Sequence, residues 1–349
     1  MKEPIKLMVV DDSTVMRRVI TGIFDSVPHI NIVGEAANGK EALEMIPLLS
    51  PNVISLDIHM PVMDGLTALK HIMIKYPRPT VMCSTLTKEG ESVTFDSLKF
   101  GAVDFIHKPS NRRPDTLEKQ YADIIQKITL ASRIDMESVH CLKPGKKVNL
   151  AERARAGRTK VQYVCGIGTS EGGYATLLNI IPWLKPNVPM AFIIILHEAP
   201  KNIKAFVKYL KNECAMRVQP AIHNAPLKSG VCYMASGQEY VTVASKDSGY
   251  SLQVYDSPFP NRRGSINMMM LSIAEVLKEK SLGIILSGSG NDGVEGMGEI
   301  ARMGGNTFIQ NPKACLHREM PVNVYKNLRS VRAFFDREMA GEINKRYSS

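Results

Sequence analysis

Four short apolar segments near the start of the chain each end in polar or charged residues. Each segment has the length of a strand, and helix-like periodicity separates one from the next. The residues that follow the segments are, in chain order, Asp11 with Asp12, Asp57, Ser84 with Thr85, and Lys108. Strands that alternate with helices predict a parallel sheet, whose strands have their carboxyl ends at one ligand-binding edge. The amino-terminal part of the chain is therefore predicted to be a doubly wound α/β domain.

The residues at the predicted sheet edge are of the types that a phosphorylation site needs. Asp11, Asp12 and Asp57 would form a cluster of hard oxygen ligands, which suits Mg²⁺ together with phosphate and water. Lys108 can pair with a phosphoryl group on Asp57, and the Thr85 hydroxyl can donate a hydrogen bond to it. One Asp after a strand means little by itself, but four strand ends carrying these residues in this order favour a functional site over scattered surface charges.

The constellation resembles the receiver domain of two-component response regulators, over about residues 4–128. The resemblance implies a flavodoxin-like fold, an aspartyl phosphate at Asp57, and Mg²⁺ at Asp11, Asp12 and Asp57. It also implies a switch pair, Thr85 and Phe105, and a histidine kinase as phosphodonor. The bond between Lys108 and Pro109 is a candidate for the cis isomer, which prolines permit at modest cost.

The composition predicts a cytoplasmic protein of two domains. A chain of 349 residues is long for one core. The most apolar stretch, residues 190–196, is too short to span a bilayer, so the protein is not expected to be membrane-inserted. The start of the chain lacks the apolar run of a signal peptide. The six cysteines are scattered without a C-x-x-C pair, which favours free thiols in a reducing compartment.

The net charge of +10 could suggest nucleic acid as a partner. Residues 131–160, however, hold eight Lys or Arg against three acids, a balance of +5, in a segment with few large apolar residues. This pattern predicts a basic flexible linker over residues 131–159, between a receiver domain at 1–130 and a second domain at 160–349. No helix-turn-helix pattern follows the receiver, so binding of nucleic acid is not expected.

The second domain begins with a predicted strand at residues 161–165 that leads into a glycine-rich turn. Two motifs compete there. A G-x-G-x-x-G dinucleotide fingerprint would start at Gly166 and Gly168, but its third glycine falls on Glu171. The G-x-S-x-G motif of residues 168–172 would expose the Ser170 hydroxyl on a tight strand-to-helix turn. By itself this motif is weak, since small residues are common in such turns.

A serine nucleophile needs a base and an acid that orients the base. His197 follows the most apolar predicted strand, residues 191–196, and Asp292 lies in a glycine-rich loop after residues 282–286. A lone histidine at a strand end is more often a satisfied loop residue, and Asp292 could simply cap a helix. Ser170, His197 and Asp292 nevertheless all follow parallel-type strands. The order Ser–His–Asp disfavours an α/β-hydrolase, in which the acid precedes the histidine.

Residues 160–348 resemble the catalytic domain of the chemotaxis protein-glutamate methylesterase family (CheB-like). The segments at 261–267, 291–297, 310–311 and 320–321 carry the resemblance together with the triad. It implies an α/β domain of Rossmann-like type with a mainly parallel sheet, and a serine hydrolase that needs no cofactor. The implied substrates are glutamate γ-methyl esters and certain glutamines on the cytoplasmic domains of methyl-accepting chemoreceptors. Backbone N–H groups of Glu171 and Ser289 are the candidate oxyanion donors.

Several residues close to the predicted triad depart from the family pattern: Glu171, Leu196, Ala199, Ser289 and Glu319. A carboxylate at residue 171 would oppose negative charge that develops beside it. The leading interpretation, which rests on the triad and the receiver domain, is a phosphorylation-regulated esterase and amidase. The alternative is a catalytically weakened adaptor that binds receptors through a divergent esterase domain.

Overall fold

The structure is a computed structural model in which two compact units, Met1–Lys143 and Pro144–Ser349, can be distinguished. It describes residues 3–84, 88–111, 116–134, 136, 139, 157, 159–246, 249–256 and 264–347, without the side chains of 88–92. Thr85, residues 261–263 and most of the predicted linker lie outside the described residues. The domain boundaries at 130 and 159 therefore stay predictions.

The first unit contains one five-stranded parallel sheet with strand order β2-β1-β3-β4-β5. Its strands are β1 (Ile5–Val10), β2 (Ile30–Ala36), β3 (Val53–Asp57), β4 (Thr80–Ser84) and β5 (Asp104–His107). Its helices are α1 (Thr14–Phe24), α2 (Gly39–Leu49), α3 (Gly65–Lys75), α4 (Lys88–Lys99) and α5 (Leu117–Ala131). Four of these strands match the four apolar segments of the sequence. The doubly wound receiver fold is thus confirmed.

Local sequence fixes where the helices of this unit begin. The side chains of Ser13, Asn38 and Asp64 accept hydrogen bonds from N–H groups in the first turns of α1, α2 and α3. Gly65 opens α3 against the end of β3, where a Cβ atom would lie 2.9 Å from the carbonyl carbon of Asp57. Only glycine permits this close approach. The peptide bond between Lys108 and Pro109, a candidate for the cis isomer, is trans.

The second unit is built on a seven-stranded parallel sheet with strand order β14-β13-β12-β6-β7-β9-β8. The strands of this unit are β6 (Tyr163–Thr169), β7 (Met190–Leu196), β8 (Arg217–Pro220), β9 (Val231–Ser236), β10 (Glu239–Lys246), β11 (Gly249–Asp256), β12 (Ser281–Ile285), β13 (Asn306–Gln310) and β14 (Arg332–Phe334). β10 and β11 pair with each other as an antiparallel ribbon. The predicted parallel α/β class of this domain is confirmed.

Helices cover the sheet of the second unit. They are α6 (Gly173–Ile180), α7 (Pro200–Glu213), α8 (Ser265–Leu277), α9 (Val294–Arg302), α10 (Glu319–Asn327) and α11 (Asp336–Arg346). β7 is buried along its whole length, as expected for a central parallel strand with helices on both faces. This burial explains its continuous apolar sequence.

The glycines of β6 serve packing. A Cβ atom on Gly166 would lie 2.8 Å from Ile273, and one on Gly168 would lie 2.9 Å from Ile266, both residues of α8. The missing side chains let α8 approach the strand closely. The G-x-G pattern that suggested a dinucleotide fingerprint is thus accounted for by the contact between β6 and α8. Within the described residues no helix has both the length and the apolar character that crossing a membrane requires.

Candidate active site and phosphorylation site

An acidic pocket lies at the carboxyl edge of the first sheet. Asp11 and Asp12 follow β1 and Asp57 ends β3, and each offers a carboxylate oxygen within 4.8 Å of the others. Lys108, which follows β5, places its Nζ 2.6 Å from Oδ2 of Asp11 and 2.8 Å from Oδ2 of Asp57. The structure therefore brings together the four residues that the sequence placed at separate strand ends.

Burial and charge act against each other in this pocket. Burial raises the pKa of Asp57, and its contacts with Lys108 do not fully offset that effect. Burial alone would lower the pKa of Lys108, but its bonds to Asp11 and Asp57 outweigh burial and raise the pKa instead. Burial therefore works against the negative charge of Asp57, and a further cation bound beside it would favour the ionised carboxylate.

The residues of the pocket fit Mg²⁺. Three carboxylates supply hard oxygens, and the exposed side chain of Asp12 leaves one side open to the water that this ion retains. The N–H of Ile58 donates to Oδ1 of Asp57 over 2.8 Å, so that Oδ1 is fixed and the carboxylate is oriented. The receiver domain as such implies the usual Mg²⁺ phosphorylation site.

The raised pKa of Asp57 predicts a pH-dependent stability. Because the pKa is higher in the folded state, the protonated form contributes stability below the ordinary Asp pKa of about 4. That stability is lost as the pH rises through the raised pKa. We expect Asp57→Asn to raise the thermal unfolding midpoint at pH 7 and to lose this advantage near pH 4. Circular dichroism without divalent cations measures this.

Asp25→Asn is the matched control, since this carboxylate is exposed in the same unit. An Asp57→Asn midpoint at pH 7 equal to or below that of the native protein would contradict the expected cost of burying the charge.

The predicted switch residue Phe105 is buried in β5. Its ring stacks edge-to-face on Phe95 of α4, with 5.9 Å between ring centroids. Lys127 donates a hydrogen bond to the carbonyl of Phe105 over 3.0 Å. Nζ of Lys127 also lies 5.3 Å from the centre of the Phe105 ring, so a movement of this ring would change its contacts with both α4 and α5. Thr85 lies outside the described residues, so the pairing of the two stays a prediction.

Ser170 lies at the carboxyl end of β6, in the turn before α6. Its N–H donates to the carbonyl of Ser287 over 2.9 Å, and its own carbonyl accepts from Gly173 over 2.9 Å. Gly172 takes a φ of +78°, which glycine adopts without steric cost. A Cβ atom on Gly288 would lie 2.8 Å from Cβ of Ser170. The turn thus holds the serine between two close backbone segments. Ser170 is only 5% exposed, so the exposed hydroxyl that the G-x-S-x-G motif predicts is not seen, because these segments pack against it.

His197 follows β7 at the position next to Ser170. Thr169 and Leu196 pair in register, and the N–H of His197 donates to the carbonyl of Thr169 over 3.0 Å. Nε2 of His197 lies 3.0 Å from Oδ2 of Asp292, and the hydroxyl of Ser265 lies 3.4 Å from the same nitrogen. The sheet therefore brings all three predicted triad residues to one edge.

Asp292 is held as an anion. Its carboxylate accepts hydrogen bonds from the N–H groups of Ile266 and Asn267, at 3.1 and 2.9 Å. Burial alone would raise its pKa, but these bonds and the contact with His197 outweigh burial and hold the pKa below its ordinary value. A carboxylate in this state accepts a hydrogen bond from the Nε2–H group of His197. That leaves Nδ1 as the nitrogen with a lone pair.

The predicted relay is only half formed at rest. Nδ1 of His197 is buried and accepts no hydrogen bond within the described part of the chain, and the Ser170 hydroxyl is not hydrogen-bonded to it. Such bonds are often long in resting enzymes and tighten with substrate. A buried nitrogen without a donor is costly, which favours a rotation of the Ser170 side chain towards it.

Ser289 is already bonded to Glu171 in this structure. Its N–H, predicted as an oxyanion donor, donates to Oε2 of Glu171 over 2.9 Å, and its hydroxyl donates to Oε1 over 2.9 Å. The side chain of Glu171 is long enough to cross the turn and bind both groups. A smaller residue at this position could not do so. The roles of the Ser289 and Glu171 N–H groups as oxyanion donors stay predictions.

Other residues support the site without an obvious signal in the sequence. The Gln310 carboxamide accepts from the N–H of Ser287 over 2.8 Å and donates to Asp336 over 2.8 Å. Oδ1 of Asn267 accepts from Gly293 and Gly296 at 2.9 and 3.0 Å. Gln310 and Asn267 lie in segments that carried the family resemblance, but only the structure shows what they hold.

Comparisons with known proteins agree with this geometry. The CheB methylesterase family matches residues 165–343, and the response regulator receiver domain matches residues 7–120. A protein-glutamate methylesterase/protein-glutamine glutaminase of Saccharophagus degradans is 32% identical over 91% of this chain and 92% of its own. The corresponding protein of Pyrococcus abyssi is 32% identical over 91% of this chain and 86% of its own.

A solved structure shares the fold of the second unit. The catalytic domain of the Thermotoga maritima CheB methylesterase superposes with a TM-score of 0.50 at 23% identity, over 52% of this chain and 97% of that one. The two relatives each match 91% of this chain, so the match includes both of its halves. The chain belongs to the CheB methylesterases, with a response regulator receiver domain at its amino terminus.

Proposed function

We propose that this protein is a phosphorylation-regulated serine hydrolase that demethylates glutamate γ-methyl esters on chemoreceptors and deamidates glutamines there. The observation that carries the proposal is the 3.0 Å contact between His197 and Asp292 beside Ser170. The printed names of the curated relatives support the same activity. They do not favour a receptor-binding adaptor without turnover.

The geometry supports a two-step acyl transfer. Oγ of Ser170 attacks the γ-carbonyl carbon while Nδ1 of His197 takes the hydroxyl proton. Asp292 stabilises the imidazolium and keeps its Nε2 proton in place. The imidazolium returns the proton to the leaving group, which departs as methanol from an ester or as ammonia from a glutamine. Water then repeats the cycle on the acyl-serine and releases glutamate.

Asp57 is the proposed acceptor of the phosphoryl group from a chemotaxis histidine kinase. Asp11, Asp12 and Asp57 would hold Mg²⁺, which when bound neutralises charge on the transferring phosphoryl group. Lys108 would pair with the phosphate, and Thr85 with Phe105 would transmit the change to the esterase domain. Because the kinase and the cytoplasmic receptor domains are the partners implied, we place the protein in the cytoplasm.

Methanol release from a receptor fragment methylated on glutamate tests this proposal. We expect the full-length protein to release methanol and to do so faster with phosphoramidate and Mg²⁺, by about tenfold or more, as for couplings of 1–3 kcal/mol. Asp57→Asn should keep the basal rate and lose the stimulation. A stimulation that persists in Asp57→Asn would remove Asp57 from the regulation, and no release under any condition would remove the esterase.

A further inference from the structure

We propose that the Glu171 carboxylate is an internal ligand of the oxyanion site, so that the resting site is closed to the ester carbonyl until this side chain leaves. The inference rests on the proposed esterase function. It concerns the contact of the Glu171 carboxylate with the N–H and the hydroxyl of Ser289, which the reaction itself does not need. It makes Glu171 a residue that sets how readily substrate enters.

The geometry of the contact is that of a bound anion. Both carboxylate oxygens of Glu171 accept from Ser289, one from the N–H and one from the hydroxyl, each at 2.9 Å. An oxyanion is stabilised by donors at 2.7–3.1 Å. Glu171 thus binds, at a distance within this range, the N–H that is predicted to stabilise a tetrahedral intermediate on Ser170. The ester carbonyl and the Glu171 carboxylate would therefore compete for the N–H of Ser289.

The position of Glu171 in the chain places its carboxylate beside the nucleophile. It directly follows Ser170, and its carbonyl accepts a hydrogen bond from the hydroxyl of Ser287 over 2.7 Å. The backbone is thereby fixed, while the side chain alone must rotate to release Ser289. Opening therefore breaks the two hydrogen bonds to Ser289 through a side-chain rotation and requires no change in the backbone of the turn.

A second carboxylate binds the next N–H of the same loop. Oε2 of Glu319 accepts from the N–H of Gly290 over 3.1 Å. Glu319 is exposed, whereas Glu171 is half-buried, so water screens the charge of Glu319 more effectively. Two successive N–H groups are thus held by carboxylates, and the effect of Glu171 should be the larger one.

The charge of Glu171 also opposes the reaction. While its carboxylate stays near Ser289, it repels the negative charge that develops on the carbonyl oxygen. One oxyanion donor contributes about 10²- to 10³-fold to kcat. Freeing the Ser289 N–H should therefore raise kcat by a part of that factor. The whole factor is not expected, because in the native enzyme this N–H is already free whenever the Glu171 side chain rotates away.

The test compares the full-length protein with Glu171→Ala and Glu171→Gln, phosphorylated with phosphoramidate and Mg²⁺. The substrate is an uncharged peptide with one glutamate γ-methyl ester. We expect kcat to rise by about tenfold or more in Glu171→Ala. Glu171→Gln should give a smaller rise, because its amide oxygen keeps an acceptor but not the charge. Glu198→Gln is the control: that carboxylate binds Asn202 and not this loop.

A second readout does not depend on turnover. Sodium acetate, at constant ionic strength, should bind Glu171→Ala, shift the amide resonance of Ser289 and inhibit hydrolysis competitively. The native protein should show neither effect, because its own carboxylate fills the place. Glu171→Ala that folds normally but is no faster, or a Ser289 amide that neither the substitution nor acetate shifts, would overturn the inference. If acetate binds as expected while no protein hydrolyses the ester, the esterase proposal fails and the contact stands.

Discussion

Ser170→Ala is expected to abolish methanol release from a methylated receptor fragment, with kcat lower by at least about 10³-fold. The alanine has no oxygen to attack the carbonyl carbon and cannot form an acyl intermediate. Ser170 lies in a turn that several backbone hydrogen bonds hold, so the loss of one hydroxyl should leave the fold intact. Methanol release, measured with isotopically labelled methyl groups, gives the rate.

Ser245→Ala provides the comparison, because this serine is exposed on the β10–β11 ribbon. It should hydrolyse the ester at the native rate. Equal rates for Ser170→Ala and the native protein would eliminate Ser170 as the nucleophile.

Asp292→Asn is expected to lower kcat by about 10²- to 10⁴-fold while leaving the protein folded. Both oxygens of Asp292 accept hydrogen bonds, Oδ2 from His197 and Ile266 and Oδ1 from Asn267. An asparagine must place its NH₂ group against one of these donors. If it faces His197, Nε2 becomes the acceptor, Nδ1 takes the proton and the base is lost.

The kcat of Asp292→Asn on the uncharged peptide with one glutamate γ-methyl ester measures this effect. The depressed pKa of Asp292 also means that its charge contributes stability above the ordinary Asp pKa, and that this stability is lost as the pH falls through the depressed value. Asp256→Asn, at an exposed position, should change neither rate nor stability. A kcat within a factor of two of native would show that Asp292 does not orient the base.

Strand ends were the most predictable part of this molecule. Buried parallel strands need continuous apolar sequence, so β1, β3, β4 and β7 and the polar residues that follow them stand out. The hydrophobic pattern does not predict β2, because this strand lies at the sheet edge and only its first and last residues are buried. The parallel arrangement of the strands then brings these strand ends together at one edge of the sheet.

Side-chain direction was the least predictable part. Glu171 could have faced solvent, and only the path of the loop after β12 places the N–H of Ser289 within its reach. The contact between His197 and Asp292 follows from the order of the strands in the sheet. Whether the Ser170 hydroxyl is hydrogen-bonded to Nδ1 of His197 depends on a single side-chain rotamer. Gln310 joins Ser287 to Asp336 through the interior. Such contacts depend on packing across several elements, which periodicity does not encode.

The buried pair of His197 and Asp292 fixes which ring nitrogen is available to Ser170, and nitrogen NMR of the full-length protein with ¹⁵N-labelled histidine reads this directly. At neutral pH the resonances of His197 should show a protonated Nε2 and an unprotonated Nδ1, and Asp292→Asn should exchange the two. A native protein whose Nδ1 carries the proton could not deprotonate Ser170 from this geometry and would contradict the account.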